Sequence, residues 1–273
     1  MYSKPWMVWN SSSTHVRVAA LYDIHANLPA LEAVLGEIDA AEADRIVVGG
    51  DAATGAMNAE TLDALRALGD RALFVQGNAD RWTVEVYDSQ ESVAPDEEHP
   101  GKRAAAWAAS QIGRPERDFL ASFEPTVELE VDGLGRTLFC HGSPRSDEEA
   151  ITAVTPDDRL QRLLEGVTAH VVVCGHTHVQ FDRRLGEQRV VNAGSVGMPY
   201  EGRPGAYWLL LGPHVDLRRT EYDVEAAIEL LRASGWPGVE EFLQHSFLEP
   251  LDPNWVSEFF ERQAQEAEGS QPR

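Results

Sequence analysis

The chain has 273 residues, of which 43% are hydrophobic and 25% are charged, and both values are ordinary for a folded globular protein. They exclude a mainly disordered chain and the low-complexity classes. The charge is unbalanced, because 45 Asp and Glu residues against 23 Lys and Arg residues give a net charge of -22 at pH 7. A surface of this sign repels polyanions, so we expect no binding to long nucleic acids.

Cysteine use and hydropathy indicate the compartment. Cys140 and Cys174 are too few for a disulfide framework, so we expect two buried free thiols in a reducing environment. No uncharged apolar run reaches the roughly 18 residues that a membrane span needs. Residues 1–14 lack the continuous apolar stretch of a signal peptide. These features predict a cytoplasmic protein that does not contact membranes, and they leave its oligomeric state open.

The first part of the chain alternates predicted strands and helices. Strands are expected over 16–22, 45–48 and 72–75, and helices over 28–41 and 60–68. One face of the first helix carries Leu31, Val34, Leu35 and Ile38. This rhythm predicts parallel strands with helices packed outside them.

Residues 81–124 interrupt the alternation. They contain an acidic polar loop and two predicted helices, over 102–112 and 115–123. We expect this insertion to form either a small helical cap over the active face or a peripheral addition. In a cap, Trp82 and Trp107 would line a site for a base or an aryl group, although a packing role is the more common one for tryptophan.

The second part of the chain is mainly strands, followed by a helical tail. The strands are predicted over 126–132, 136–140, 169–174, 179–184, 188–192 and 206–211, with one helix over 157–164. The tail, 223–273, is expected to pack on the domain through Leu230, Leu231, Phe242 and Leu243. With no internal repeat or Pro/Ser-rich linker, the organisation is an extension over 1–14, one domain over 15–222 and this tail.

Polar residues with metal-ligand chemistry follow the predicted strands, each in a short turn with glycine or another small residue. They are Asp23, His25, Asp51, Asn78, His141, His176 and His178. Strand ends gather ligands in open α/β folds, so these side chains can converge. Four imidazoles, two carboxylates and one amide oxygen suit divalent Mn, Fe, Co, Ni or Zn. Their number fits two ions that share one carboxylate.

Each of these motifs alone is a common turn sequence. The complete ordered series, Asp-Ile-His, Gly-Gly-Asp, Gly-Asn-Ala-Asp, His-Gly-Ser-Pro and Gly-His-Thr-His, resembles the calcineurin-like metallophosphoesterase superfamily over about residues 16–215. The segments Asp-Ile-His-Ala-Asn-Leu-Pro-Ala-Leu and Asn-Ala-Gly-Ser-Val-Gly-Met-Pro are similar to the small bacterial phosphodiesterase (YfcE-type) branch.

The resemblance implies a four-layer α/β/β/α sandwich with a dinuclear site at the strand ends. Asp23, His25 and His178 would hold the first ion. Asn78, His141 and His176 would hold the second, and Asp51 would bridge the two. The implied reaction is hydrolysis of a small phosphate ester, and most simply a phosphodiester, by a hydroxide that bridges the ions. Manganese is the first expectation for the metal, with Fe, Ni, Co or Zn as alternatives.

The sequence departs from the family pattern at Ala79, where many members have a histidine that is thought to assist the leaving group. This change favours aryl diesters over alkyl monoesters. Asp80 and His99 are alternative proton donors, but we expect Asp80 to be a hydrogen-bonding partner of the metal site.

Arg145 and Ser195 are predicted to bind substrate, with a surface arginine and a turn serine as the alternative interpretations.

Two other functions stay open. A phosphomonoesterase or protein phosphatase would use the same metal site, and Ala79 and the acidic surface disfavour it. A non-enzymatic regulatory module would keep the metals without turnover, and the complete ligand set disfavours that.

Overall fold

The computed structural model describes residues 16–89 and 99–270. The extension predicted over 1–14 and the acidic part of the central loop lie outside the described residues. Ten strands and nine α-helices are found within them, and the strands form two five-stranded sheets.

The first sheet contains the β-α-β-α-β unit that the sequence predicts. Its strands are β1 (Val18–Leu21), β2 (Arg45–Val48), β3 (Ala72–Phe74), β9 (Ala206–Leu211) and β10 (Val215–Thr220), in the spatial order β10-β9-β1-β2-β3. β1, β2 and β3 are parallel, and β9 runs antiparallel to β1. α1 (Leu28–Ala40) and α2 (Asn58–Arg66) connect the parallel strands.

The second sheet is also mixed. Its strands are β4 (Thr126–Val131), β5 (Gly135–Cys140), β6 (Val171–Cys174), β7 (Phe181–Leu185) and β8 (Gln188–Asn192), in the order β4-β5-β6-β8-β7. β5, β6 and β8 are parallel, so this sheet, like the first, has three parallel strands. α6 (Asp157–Leu163) lies between β5 and β6 in the chain.

Three apolar cores give the molecule four layers. The inner core lies between the sheets and includes Val47, Phe139 and Val173, and the hydroxyl of Tyr22 crosses it to donate a hydrogen bond to the carbonyl oxygen of Val173 at 3.2 Å. An outer core joins the first sheet to α1 and α2, and another joins the second sheet to α6. This arrangement confirms the predicted α/β/β/α sandwich.

The insertion is helical, as predicted, and has one more helix than predicted. It contains α3 (Asn78–Ser89), α4 (Pro100–Gln111) and α5 (Arg114–Leu120). Leu120 and Phe123 belong to the outer core of the first sheet, and the rings of Phe74 and Phe123 stack at 4.9 Å. This part of the insertion therefore extends the helical layer beside α2.

The C-terminal region is helical and contacts the sandwich. It consists of α7 (Val224–Ala233), α8 (Val239–Leu243), a π-helical turn (Gln244–Leu248) and α9 (Pro253–Ser270). Leu231, Phe242 and Leu243 share a buried cluster with Ala56 of the sandwich. The prediction for Leu230 was wrong, because its side chain is 52% exposed on α7. No helix in the described ranges combines the length and the apolar character that a membrane crossing requires.

Candidate metal centre

The predicted ligands lie together at the carboxyl ends of the parallel strands of both sheets. Six of the seven form two groups of three, and within each group the ligand atoms lie within 4.8 Å of one another. The groups are Asp23, His25 and His178, and Asp51, His141 and His176. The loops that carry them are joined by backbone hydrogen bonds, including Asp23 N–H to Gly50 O and Gly175 N–H to His141 O.

Hydrogen bonds on the outer nitrogen orient three of the four histidines. Nδ1 of His141 lies 2.9 Å from Gly49 O, and Nδ1 of His178 lies 2.8 Å from Met198 O. Nδ1 of His25 lies 3.3 Å from the carbonyl oxygen of Thr54. Because a carbonyl oxygen only accepts, Nδ1 of His141 and of His178 carries a proton, and Nε2 is the ring atom that faces the site. Nδ1 of His25 also lies 3.0 Å from the hydroxyl of Thr54, which can donate or accept. This is how proteins fix histidines that bind metals.

The first group has the contacts of a cation site. Nε2 of His25 and Nε2 of His178 lie 3.2 Å apart and converge on Oδ1 of Asp23. Oδ1 of Asp23 is buried without a hydrogen-bond donor, although Nε2 of His178 lies 3.2 Å away. Three electron-pair donors pointing at each other repel, and a cation among them would be held by all three. The donor set therefore fits a divalent ion.

The second group has the same character, and Asn78 joins it. The amide oxygen of Asn78 faces three acceptors: Nε2 of His141 at 3.1 Å, Nδ1 of His176 at 3.0 Å and the carbonyl oxygen of Asp147 at 3.3 Å. Rotation of the amide would make three hydrogen bonds. A cation held by the oxygen and the two ring nitrogens satisfies the same atoms and fits the predicted second ion.

Asp51 lies between the two groups. Its Oδ2 is 3.5 Å from Nε2 of His141 and 3.9 Å from Nε2 of His25. Its Oδ1 accepts a hydrogen bond of 2.8 Å from the backbone N–H of Ala79. One carboxylate oxygen is therefore directed at both groups, as the shared ligand of two ions would be.

Asp80 holds the turns that carry Asp51 and Asn78. Its fully buried carboxylate accepts hydrogen bonds from the backbone N–H groups of Asp51 at 2.8 Å, Ala52 at 2.9 Å and Gly77 at 3.0 Å. Burial and the charge of Asp51 raise the pKa of Asp80 to about 7. Asp80 is thus a positioning residue in the structure, as we expected.

The close approach of the loops requires glycine at Gly50 and Gly77. A Cβ on Gly77 would lie 2.2 Å from Oδ1 of Asp51, and a Cβ on Gly50, whose φ is +99°, would lie 2.6 Å from Nδ1 of His141. Neither neighbour can move without displacing a predicted ligand.

The charges of the site are strongly coupled. Burial lowers the pKa of His25 to about 4, assisted by His178, and burial with His141 does the same to His176. Burial also acts on His141, but without a bound ion the carboxylate of Asp51 outweighs it and raises the pKa of His141 to about 10, so an ion would displace the proton of Nε2. In turn, burial acts to raise the pKa of Asp51, but the charge of His141 outweighs burial and lowers this pKa.

Residues 16–211 match the family model of the calcineurin-like phosphoesterase superfamily domain. The chain belongs to this superfamily. The predicted family is therefore confirmed. Its members are metal-dependent phosphoesterases, and the two groups described above are candidate metal-ligand clusters.

This chain aligns with nearly the whole length of three similar proteins. An uncharacterized protein of Methanocaldococcus jannaschii is 27% identical over 250 residues, which are 83% of this chain and 97% of the relative. The crystal structure of a metallophosphoesterase from Sphaerobacter thermophilus has 26% identity and a TM-score of 0.66, covering 84% of this chain and 97% of its own. A hypothetical protein of Pyrococcus horikoshii OT3, at 20% identity, shares the fold with a TM-score of 0.72 and covers 85% and 98% of the two chains.

The two predicted substrate contacts of this phosphoesterase have other partners. Ser195 is fully buried, and its hydroxyl donates to Asp23 O and accepts from Met198 N–H, both at 2.7 Å. It therefore holds the Asp23 loop and offers no surface to a substrate, which corrects the prediction. Nε and Nη2 of Arg145 lie 2.8 and 2.7 Å from the carboxylate of Glu149. A phosphate contact by Arg145 stays a prediction.

Aromatic residues next to the phosphoesterase site were not predicted from the sequence. Tyr200 stacks on His178 with ring centroids 4.9 Å apart, and Phe260 of α9 lies 6.1 Å from His176. Trp82, predicted to line a cap, instead lies against His99 at 5.1 Å. The signal for Phe260 was the cluster Trp-Val-Ser-Glu-Phe-Phe within an otherwise polar helix.

Proposed function

We propose that this protein is a dinuclear-metal-dependent phosphodiesterase that hydrolyses small phosphodiesters. The observation that carries the proposal is the pair of ligand groups with the carboxylate of Asp51 directed at both. Membership of the superfamily supplies the reaction class. The diester preference and the use of two ions are inferred from the residues of this chain.

The ligand sets assign the residues to two ions. Asp23, His25 and His178 would hold one ion, and Asn78, His141 and His176 the other, with Asp51 shared. When bound, two divalent ions supply an acidified water as nucleophile and positive charge for the phosphoryl oxygens. Nitrogen and oxygen donors without thiolate suit manganese first, and Fe, Ni, Co or Zn as alternatives.

The preference for good leaving groups follows from Ala79. Its side chain has no proton to donate, and its backbone N–H is already bonded to Asp51. The leaving group must therefore depart without a side chain at this position to protonate it, which favours stable leaving groups such as aryl oxides.

Charge favours a small substrate. Two divalent ions outweigh the two carboxylates of Asp23 and Asp51, so the site attracts phosphate although the protein carries a net charge of -22. A long nucleic acid would meet the acidic surface around the site. The buried free thiols of Cys140 and Cys174 fit a reducing compartment, and we propose the cytoplasm.

The test compares diester and monoester hydrolysis. Metal-stripped protein receives Mn, Ni, Co, Zn or Mg separately, and turnover of bis-p-nitrophenyl phosphate and p-nitrophenyl phosphate is measured. We expect metal-dependent turnover that favours the diester. In Asn78→Ala we expect kcat/KM to fall by at least about 100-fold, because one ligand is lost. His214→Ala is the matched control, since this exposed histidine lies in the β9–β10 turn at the opposite end of the sheet.

Two outcomes would contradict the proposal. Equal or faster hydrolysis of the monoester, p-nitrophenyl phosphate, would assign a phosphomonoesterase or protein phosphatase instead. Two tightly bound ions without turnover for any metal would assign the non-enzymatic module.

A further inference from the structure

We propose that an aromatic stripe on α9, formed by Trp255, Phe259 and Phe260, binds a planar aromatic group of the phosphoester substrate. The inference rests on the proposed function and names the substrate class that the site selects: esters in which phosphate carries an aryl or nucleobase-containing group. In this role the stripe determines specificity and takes no part in bond cleavage.

The stripe begins beside the metal centre. The ring of Phe260 lies 6.1 Å from the ring of His176, at an angle of 58°, and both residues are partly exposed. Because His176 belongs to the second ligand group, an ester bound through its phosphate places one of its organic groups near Phe260. The surface next to the reacting phosphate is therefore aromatic on this side.

The stripe continues outward along the helix. Phe259 lies 5.9 Å from Phe260 in an edge-to-face contact, and Trp255 stacks on Phe259 with centroids 5.2 Å apart and 14° between the rings. Trp255 and Phe259 are four residues apart and so share a helix face. Trp255 is 52% exposed, so its indole is accessible to a ligand.

Buried polar contacts hold the stripe in place. Glu261, the next residue after Phe260, is only 5% exposed and accepts a 2.6 Å hydrogen bond from the hydroxyl of Thr155. Its carboxylate also lies 3.2 Å from Nη1 of Arg159, which is 3% exposed. Anchoring of this kind fixes the aromatic side chains before a ligand arrives, so binding costs little ordering entropy.

A planar aromatic group fits the stripe better than other occupants. The stripe is continuous with a centre built for phosphate, so its occupant is attached to that phosphate. Offset stacking on exposed aromatic rings stabilises planar aromatic groups more than alkyl groups. The aromatic residue first predicted for this role, Trp82, has other partners: His99 contacts it edge-to-face at 5.1 Å, and the guanidinium of Arg81 lies 5.9 Å from its ring.

The test measures binding with two non-hydrolysable ligands that share a phosphonate and differ in the ring. Dissociation constants of p-nitrobenzylphosphonate and methylphosphonate are determined calorimetrically on the zinc-loaded full chain. We expect the aromatic ligand to bind about tenfold more tightly, since an aromatic pair contributes roughly that factor. In Phe260→Leu, which keeps apolar volume without a π face, we expect the ratio to fall to about two while the affinity for methylphosphonate is unchanged.

A second readout uses the indole of the stripe. The nitrophenyl ring is expected to quench tryptophan fluorescence in the native protein, and this quenching should be lost in Trp255→Phe. Leu230→Ala removes an exposed apolar side chain from α7, outside the stripe, and should leave both the ratio and the quenching unchanged.

The outcomes separate the stripe from the catalytic proposal. An unchanged ratio in Phe260→Leu, or an equal loss of affinity for both ligands, would overturn the stripe even if the enzyme hydrolyses diesters. A ratio that collapses as expected in a protein without turnover would support the stripe and contradict only the phosphodiesterase activity. Failure of both phosphonates to bind would count against the stripe as well.

Discussion

At the scale of single residues, the metal centre is built from strained backbone. Asp23, His25, Asp51, His176 and His178 all have φ between 47° and 66°, the left-handed region that side chains with a Cβ rarely adopt. Each such residue costs of order 1 kcal/mol, and the surrounding hydrogen bonds must offset it. Strain of this kind at five predicted ligands indicates that the loops are shaped for the site rather than for stability.

Gly77 should be essential for metal binding. In Gly77→Ala the new Cβ would lie 2.4 Å from the backbone nitrogen of Asp51, so its carboxylate must move. We expect zinc affinity, measured by chelator competition, to fall at least about tenfold. Gly36→Ala is the matched control, because this exposed glycine within α1 has no atom within 4 Å of the added Cβ. It should be stabilising by about 0.5–1 kcal/mol with unchanged zinc affinity. Native affinity in Gly77→Ala would mean that Asp51 is not a ligand.

Glu201 should make stability depend on pH. Burial raises the pKa of its carboxyl to about 7, although the hydrogen bond from Gln180 N–H and the charge of Arg203 act against this. Because the folded pKa lies above the unfolded one, the native state binds more protons between about pH 4.5 and pH 7. The contribution of Glu201 to stability is therefore complete below about pH 4.5 and is lost as the pH rises through 7.

The pH dependence expected from Glu201 is tested by measuring the free energy of unfolding in urea. The native protein and Glu201→Gln are compared at pH 5 and pH 8. The native protein should lose up to about 3 kcal/mol relative to the variant over this interval. Glu229→Gln, at an exposed position of α7, controls for the loss of one negative charge. A difference between native and variant protein that is the same at both pH values would refute the expectation.

At the scale of elements, hydrophobic periodicity predicted most strands and helices. It did not predict α3 and β10, because their sequences are largely polar. α3 begins at Asn78, so its first turn carries a predicted ligand and has the sequence of a loop. β10 has the residues Val-Asp-Leu-Arg-Arg-Thr and is largely exposed, so its pattern carries little apolar signal. Its pairing with β9 supplies what the sequence pattern lacks.

The attachment of α9 should depend on one buried ion pair. Glu261→Gln removes the buried carboxylate that faces Arg159, and because Glu268 still pairs with Nε of Arg159 we expect a loss of about 1–3 kcal/mol, less than that of a fully unpaired buried charge. Asp158→Asn is the matched control, because it breaks the Asp158–Arg162 pair, whose side chains are 76% and 56% exposed. We expect the control to cost less than about 0.5 kcal/mol in urea unfolding. Equal effects of the two substitutions would show that α9 is held by its apolar contacts alone.

At the scale of the whole molecule, both sheets contribute residues to the candidate metal site. The first sheet presents Asp23, His25, Asp51 and Asn78 at the ends of its parallel strands, and the second presents His141, His176 and His178. Each ligand group takes residues from both sheets, so neither group exists without the inner core that holds the sheets together. Folding and assembly of the site are therefore one event.

The sequence by itself was enough to predict the family, because the ordered strand-end motifs are local signals that survive without coordinates. The resemblance to that family then implied the sandwich and a candidate ligand set. Only the tertiary structure decided that Ser195 faces the Asp23 loop and that Phe260 lies beside His176. These facts depend on contacts between residues far apart in the chain. Such contacts are fixed by the docking of the two sheets and of α9, and no local pattern encodes them.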